Sequence, residues 1–113
     1  MTVKRLLLEI GMGNDLHGGD YTKASTRAIQ DAVHHSSLSM IRALGLDRDS
    51  VLIDVTVGVQ EPGKVDIEAV KATLPFGLVS VSAVKGGIDV PEDGVNDLAV
   101  IAVATVIVSA DLD

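Results

Sequence analysis

Hydrophobic and polar positions follow two different periods along this chain, and the changes of period predict its elements. Runs that alternate with a period of two are typical of half-buried strands, whereas apolar residues that recur every three or four positions are typical of helices. The predicted strands are Val3 to Ile10, Val51 to Gln60, Phe76 to Lys85 and Asp97 to Ser109. The predicted helices are Lys23 to about Ala43 and Asp66 to Thr73.

These elements follow one another in the order β-α-β-α-β-β and predict a single α+β domain over residues 1–113. We expect a two-layer α/β sandwich, in which a mixed sheet of about four strands is covered by one long and one short helix. By architectural analogy alone, this arrangement is similar to that of chorismate mutase. The segment from Gly86 to Gly94, which contains Pro91, predicts a long turn-rich loop.

The long helix has small residues spaced four apart along one face. They are Ala24, Ala28 and Ala32. Such a row predicts that the helix lies close to the sheet. Asp20 or Thr22 is a suitable N-cap, and Gly45 is a suitable C′ residue. The run Ser36-Ser37-Leu38-Ser39 is poor in helix formers, so a kink or break there is an alternative to one continuous helix.

The last predicted strand is apolar on both faces. Ile101, Val103 and Ile107 lie on one face, and Val100, Ala102 and Val106 are among those on the other. One long and one short helix cover only one face of such a sheet, and soluble monomers seldom expose a large apolar patch. We therefore expect a homo-oligomer, a trimer or larger, with apolar sheet surfaces between subunits.

The net charge of −7, without a cluster of Lys or Arg, argues against nucleic acid and anionic membranes as partners. Aromatic residues make up only 2% of the chain, so the core is expected to consist of Val, Ile, Leu and Ala. The chain has no Cys, which excludes disulfides and thiolate sites. The longest apolar segment is shorter than the ~20 residues that span a bilayer, so we expect a cytoplasmic location.

One stretch, Glu9 to Asp20, combines glycines with polar residues that bind ligands or transfer protons. Its candidate catalytic residues are Asp15 and His17. Its candidate ligand-binding residues are Gly11, Gly13, Asn14, Gly18, Gly19 and Asp20. Glycine lets a ligand or another backbone approach closely, and Asp and His are common acid–base and metal-ligating groups.

Acid–base catalysis is the first hypothesis for this stretch. His17 would act as general acid or base, and Asp15 would orient it or raise its pKa. Backbone N–H groups near Gly18 and Gly19, together with Lys85 at the end of a predicted strand, would hold a small polar or anionic metabolite. Such a protein would be a hydrolase, lyase or isomerase.

Three other interpretations remain open. A metal-dependent hydrolase or lyase would use Asp15 and His17 as ligands of Zn, Mn or Fe, with His34-His35 approaching from the helix. Dinucleotide binding is disfavoured, because the third glycine of a G-x-G-x-x-G pattern would fall at Leu16. In the third interpretation the stretch is a structural turn, and the protein is a non-catalytic homo-oligomeric binding or scaffold protein. The sequence names no cofactor.

The segment from Gly11 to Gly18 fits the pattern G-x-G-x-D-x-H-G in full. Further segments extend the similarity: Thr22-Lys23-Ala24, Arg27-Ala28, Asp31-Ala32 and His35-Ser36-Ser37-Leu38. Together they resemble a small family of conserved hypothetical proteins of bacteria and plants, over nearly the whole chain. The resemblance implies a functional role for Gly11, Gly13, Asp15, His17 and Gly18, and it implies no particular reaction.

Overall fold

The computed structural model describes residues 2–34, 39–74 and 76–112, which form an α+β fold around one mixed sheet. The described strands are β1 (Val3–Asp15), β2 (Leu52–Val59), β3 (Leu78–Lys85), β4 (Ile88–Pro91) and β5 (Leu98–Asp111). The described helices are α1 (Tyr21–His34), α2 (Ser39–Ala43) and α3 (Ile67–Lys71). A short 3-10 turn, Pro62–Lys64, follows β2.

The long strand β5 is the centre of the sheet, whose strand order is β1-β5-β2-β3. β1 runs antiparallel along nearly all of β5, and β2 is antiparallel to its C-terminal part. The short strand β4 pairs with the N-terminal part of β5, beyond the end of β2. β2 and β3 are parallel, so the sheet is mixed, as predicted.

The helices cover one face of the sheet. α1 lies on β1, β5 and β2, and α3 lies on β3. The alanines of α1 at positions 24, 28 and 32 are completely buried, which confirms that this helix lies close to the strands. The buried face of β5 is built from Val and Ala, and Tyr21 is the one aromatic side chain in the described core. The core therefore consists almost entirely of small aliphatic groups.

α1 also protects the free edge of β1, where backbone groups lack a strand partner. The N–H of Met12 donates to the Asp31 carboxylate at 2.9 Å, and Arg27 donates to the carbonyl oxygen of Asn14 at 2.7 Å. These bonds satisfy an edge N–H and an edge C=O that would otherwise remain open to another chain. The helix thus both packs on β1 and blocks its edge.

The predicted number of strands and order of elements are wrong, because the described chain has five strands in one sheet. The fifth is β4, which lies inside the segment predicted to be a turn-rich loop. Gly86, Gly87 and Pro91 are turn signals, but Pro91 ends the strand, where its missing N–H breaks no continuing ladder. Pairing with β5 decides the conformation of this segment. The analogy with chorismate mutase remains a prediction.

Two element boundaries also differ from prediction. β1 does not end at Ile10 but continues through Gly11 and Gly13 to Asp15. The predicted helix from Lys23 to Ala43 corresponds to α1, which ends at His34 in the described chain, and to α2. The predicted break at 36–39 falls largely outside the described residues, as does His35. None of the described helices combines the length and hydrophobicity required to cross a lipid bilayer.

Candidate functional site

The loop Leu16 to Asp20 connects the end of β1 to the start of α1. Gly18 and Gly19 have φ angles of 104° and 63°, which glycine adopts without strain. Asp20 caps α1, since its side chain accepts a hydrogen bond from the N–H of Lys23 at 3.0 Å. This confirms one of the two predicted N-caps. The loop is therefore a tight turn that ends in a well-defined helix start.

Asp15 faces inward, with only 4% of its surface exposed. One of its carboxylate oxygens accepts a hydrogen bond from the N–H of Asp20 at 2.9 Å. The other lies 3.9 Å from Lys23 Nζ and 3.8 Å from Arg27 Nη1. Asp15 is thus engaged in closing the loop and in facing the cations of α1. It makes no hydrogen bond to His17 among the described residues, so it does not orient the imidazole as expected, but its charge contributes to raising the pKa of His17.

The hydrogen-bond partner of His17 is Asp97, which directly precedes β5. His17 Nδ1 lies 2.9 Å from Asp97 Oδ2. The other oxygen of Asp97 accepts from the backbone N–H groups of Gly18 and Leu98, each at 2.8 Å. Three hydrogen bonds therefore fix this carboxylate against the loop. No local sequence pattern marks Asp97 as a site residue, since it lies 80 positions from His17.

This arrangement shifts the pKa values of Asp97 and His17 in opposite directions. The N–H of Gly18, the His17 side chain and the N–H of Leu98 together lower the pKa of Asp97 to about 2. The hydrogen bond and the charge of Asp97 raise the pKa of His17 above its ordinary value. The pair consequently exists as imidazolium and carboxylate over a wide pH range. The His17 side chain is 76% exposed, and no hydrogen bond to its Nε2 occurs among the described residues.

A depression of about 470 Å³ lies beside this pair. Its lining comes from the loop, from the end of β4 and from the segment before β5: Gly18, Gly19, Pro91, Val95, Asn96, Asp97 and Leu98. Asp97 is the member of the pair that borders the depression, and His17 is not among the described residues that line it. The ligand atoms of His17, Glu92 and Asp97 lie within 4.8 Å of one another, so these three are the candidate metal ligands of the described chain. Asp15, the predicted co-ligand of His17, is not among them.

Gly11 and Gly13 do not lie in the loop, because both belong to β1 and face α1. A Cβ atom at position 11 would stand 2.9 Å from Ala32 Cα, and one at position 13 would stand 2.6 Å from the carbonyl oxygen of Ala24. Real Cβ atoms do not approach other atoms so closely. Asn14 is likewise in β1, with its side chain exposed. The first half of the glycine-rich motif therefore allows the helix to contact the strand.

Lys85 lies at the end of β3, away from the loop. It lines a second depression together with Val84, Gly86 and residues of β1 and β5, and no described residue of 16–20 takes part in that lining. The structure therefore separates Lys85 from His17. His34, at the end of α1, is exposed.

A second polar cluster surrounds Tyr21, the first residue of α1. Its hydroxyl lies 2.9 Å from Glu61 Oε2 and also hydrogen-bonds Asp89 Oδ2. Burial and the two carboxylates raise the pKa of Tyr21 well above its ordinary value, and the hydrogen bond from Tyr21 lowers that of Glu61. Asp89 Oδ1 is buried and has no hydrogen-bond partner among the described residues. Only tertiary structure reveals this cluster, since its members lie on three separate segments.

Most of the chain is similar to a known protein family. Residues 5–108 match the family described as conserved hypothetical protein (Lin0512_fam). The chain belongs to this family. That result confirms the resemblance inferred from the sequence, and the family description carries no activity. No curated protein shows significant similarity to the chain.

A solved structure is also similar to this chain. It is the crystal structure of an FtsZ-like protein of unknown function from Nostoc punctiforme. The two chains are 36% identical, the match covers 99% of each, and the TM-score is 0.88. The two proteins therefore share the fold over nearly their whole length.

Proposed function

We propose that this protein is an enzyme that uses the His17–Asp97 pair for acid–base chemistry on a small polar metabolite. The observation that carries the proposal is the 2.9 Å hydrogen bond from His17 Nδ1 to a carboxylate that two backbone N–H groups already hold in place. A carboxylate bonded to Nδ1 orients an imidazole and stabilises its protonated form, which leaves Nε2 to exchange a proton with a substrate. Asp97 thus takes the orienting role that the sequence assigned to Asp15.

The charges around the pair narrow the class of substrate. Glu92 and Asp97 are both acidic, and Lys85 lies elsewhere. An anion bound beside His17 would meet one cation and two carboxylates, whereas a neutral or positively charged polar group would be favoured. The proposed substrate is therefore a small neutral or cationic metabolite rather than the anion considered from the sequence. Lys85 has no part in this proposal.

A metal-dependent reaction is the second candidate, and the proximity of His17, Glu92 and Asp97 favours it. A cation between these ligands would take the remaining acceptor site of Asp97 or displace its bond to His17, since three of the roughly four acceptor sites of that carboxylate already accept hydrogen bonds. Glu92 distinguishes the two mechanisms. The metal hypothesis needs its carboxylate as a ligand, whereas proton transfer through Nε2 of His17 does not.

Turnover of single compounds from a library of small polar metabolites, followed by NMR and mass spectrometry, tests the proposal. The wild-type protein should convert at least one compound, and His17→Gln should lower its turnover by ~10²–10⁴, as is usual for loss of a general acid or base. His34→Gln is the matched control, because His34 is an exposed histidine outside the site. Equal turnover by the wild-type and His17→Gln proteins would contradict the role of His17.

Two further variants separate the hypotheses. Glu92→Gln should retain turnover without added metal if the His17–Asp97 pair acts alone. Under the metal hypothesis, the same variant should lose turnover together with calorimetrically measured binding of Zn²⁺ or Mn²⁺. A wild-type protein that converts no compound favours the non-catalytic interpretation, as a binding protein if it binds any of the compounds and as a scaffold if it binds none.

A further inference from the structure

We propose that the helix-free side of the sheet, along β1 and β5, is the surface on which a second copy of this chain docks. The side chains of β1 that point away from α1 are large, apolar and exposed. Leu8, Ile10 and Met12 are exposed by 49%, 68% and 61%, respectively. They follow one another at a spacing of two, so they form a continuous row on one face.

The register of the sheet extends this row into a patch. Met12 lies opposite Val103, Ile10 opposite Thr105, and Leu8 opposite Ile107. Val103 is itself 43% exposed. We call these six residues the open apolar patch. Large contiguous apolar patches are rare on soluble monomers and usually mark interaction sites.

The neighbouring strands limit the patch to one half of the face. On the same side, β2 and β3 carry Asp54, Thr56, Ser80 and Ser82. Two of these side chains are linked to each other, since Ser80 donates to Asp54 at 2.7 Å. Apart from Leu78 and Val84 at the two ends of β3, which are exposed by 59% and 48%, this half is polar and adjoins the apolar half, as a polar rim adjoins an interface core.

A depression of about 660 Å³ lies next to the patch and is bordered by Ile10, Met12, Val84, Lys85 and Val103. Its floor includes Gly58, where an added Cβ would stand 2.9 Å from Val103 Cγ2. The absence of a side chain at this position keeps the depression open. A projecting apolar side chain from another molecule, such as a second Ile10 or Met12, has the size and chemistry to enter it.

The exposed area of the chain is consistent with a missing partner. The molecule exposes 6577 Å². A compact monomer of 11.7 kDa is expected to expose about 5,900 Å², so the excess is roughly 700 Å². A standard protein–protein interface buries about 800 Å² on each partner. Covering one such face would therefore bring the exposed area of each copy to that of an ordinary globular protein.

A second copy is the occupant that fits both the chemistry and the symmetry. The net charge of −7 opposes anionic lipid and nucleic acid over long distances, and it also repels a second copy until salt screens the charges beyond ~8–10 Å. The six patch residues carry no charge, so two patches can meet without burying an ionised group. The patch has projecting side chains beside a depression. Two copies of this surface can therefore be complementary to each other, as an isologous interface requires. The sequence alone favoured a trimer or larger assembly through the apolar strand from Leu98 to Val108, of which Val103 and Ile107 belong to the patch.

Light scattering coupled to size-exclusion chromatography tests this proposal on the whole protein at micromolar concentration. We expect the wild-type mass to be at least twice the monomer mass of 11.7 kDa. Ile10→Lys and Met12→Lys should each shift the protein to the monomer mass with an unchanged circular dichroism spectrum. Leu44→Lys, at an apolar residue that is 52% exposed outside the patch, should retain the wild-type mass. A monomeric wild-type protein, or patch variants that keep the wild-type mass, would overturn the proposal.

Thiol reactivity gives a second test that does not place a charge in the sheet. Because the chain has no Cys, Met12→Cys and Leu44→Cys each provide a single reporter thiol. In the single chain both positions are well exposed. If a second copy covers the patch, a thiol reagent should react much more slowly with the Met12→Cys protein than with the Leu44→Cys protein, and dilution to the monomer should remove the difference. Equal rates at concentrations that favour assembly would count against docking on this face.

Discussion

Gly13 in β1 and Ala28 in α1 lie in direct backbone contact: a Cβ atom at position 13 would overlap the backbone nitrogen of Ala28. Gly11, two residues earlier in β1, contacts the backbone of Ala28 and Ala32 in the same way. The fully buried alanines of α1 complete the contact from the helix side. Strand and helix therefore meet with almost no side chains between them.

The first prediction concerns this contact. Gly13→Ala should lower the free energy of unfolding by about 3 kcal/mol or more, since overpacking usually costs ~1–3 kcal/mol and here the obstacle is backbone. Urea unfolding followed by circular dichroism measures the change. Gly63→Ala is the matched control, because no described atom outside its two chain neighbours lies within 4 Å of its added Cβ, and it should change stability little. Equal stabilities for the two variants would show that α1 moves away from β1 at little cost.

Much of the fold was accessible from sequence because its signals are local. The alternation over Val51 to Gln60 predicted β2 almost to its ends, and the alanines at positions 24, 28 and 32 predicted the close approach of α1. The end of β1 was missed since glycine disfavours strands. At Gly11 and Gly13 that local preference is outweighed by pairing with β5 on one side and contact with α1 on the other.

The His17–Asp97 pair could not be predicted from local pattern, because strand pairing brings the two residues together. β1 and β5 are antiparallel with Asp15 opposite Val100. Extending that register by three residues places Asp97 opposite Gly18. A predicted pairing of the first and last strands, with its register, would therefore have indicated Asp97. The sequence offered Asp15 instead, since it is the nearest acid in the chain, but strand alternation turns that side chain toward α1.

The second prediction concerns the ionisation of His17. Asp97→Asn should lower the pKa of His17 toward its ordinary value, because the hydrogen bond and the charge that raise it are both weakened. NMR titration of the histidine ring protons measures this pKa, and comparison with His17→Gln assigns the resonance. Glu92→Gln is the control, since it removes a nearby charge while the hydrogen bond to Asp97 remains. An unchanged pKa in Asp97→Asn would contradict the ion pair.

The pH range of the ion pair follows from the same shifts. Asp97, with its pKa at about 2, contributes stability above its unfolded pKa, and this contribution is lost as the pH falls through the folded value. His17, with a raised pKa, contributes below its unfolded pKa, and this contribution is lost as the pH rises through the folded value. The pair should therefore fix the loop best in mildly acidic to neutral solution.

The third prediction concerns Tyr21, whose pKa is raised by burial and by its bonds to Asp89 and Glu61. Its contribution to stability is complete below the unfolded pKa of about 10 and decreases as the pH rises from there toward the higher folded value. The chain has one Tyr and no Trp, so phenolate absorbance reports this residue alone. We expect the phenolate signal to appear together with alkaline unfolding. Ionisation near pH 10 in a folded protein would contradict this expectation.

Tyr21→Phe provides the control for that titration. The variant leaves Glu61 and Asp89 without the phenol as a donor, so at neutral pH it should lose about 1–3 kcal/mol of stability. Above pH 10 its stability should depend less on pH than that of the wild-type protein. Urea unfolding at neutral and alkaline pH measures both differences.

The last prediction distinguishes the role of Asp15 from that of His17 in the G-x-G-x-D-x-H-G motif. Asp15→Ala should lower the free energy of unfolding by ~1–3 kcal/mol, because the part-buried hydrogen bond from the N–H of Asp20 loses its acceptor and two cations of α1 lose their counter-charge. His17→Ala should change it by under ~0.5 kcal/mol, since the side chain is mostly exposed, yet should abolish any ligand binding or turnover. Thermal melting and ligand assays on the same samples measure both effects. Asp15→Asn, which keeps an acceptor oxygen, should recover part of the stability lost in Asp15→Ala. A large thermal loss in His17→Ala with unchanged ligand binding would instead make His17 a structural residue of the loop and remove the basis of the proposed acid–base site.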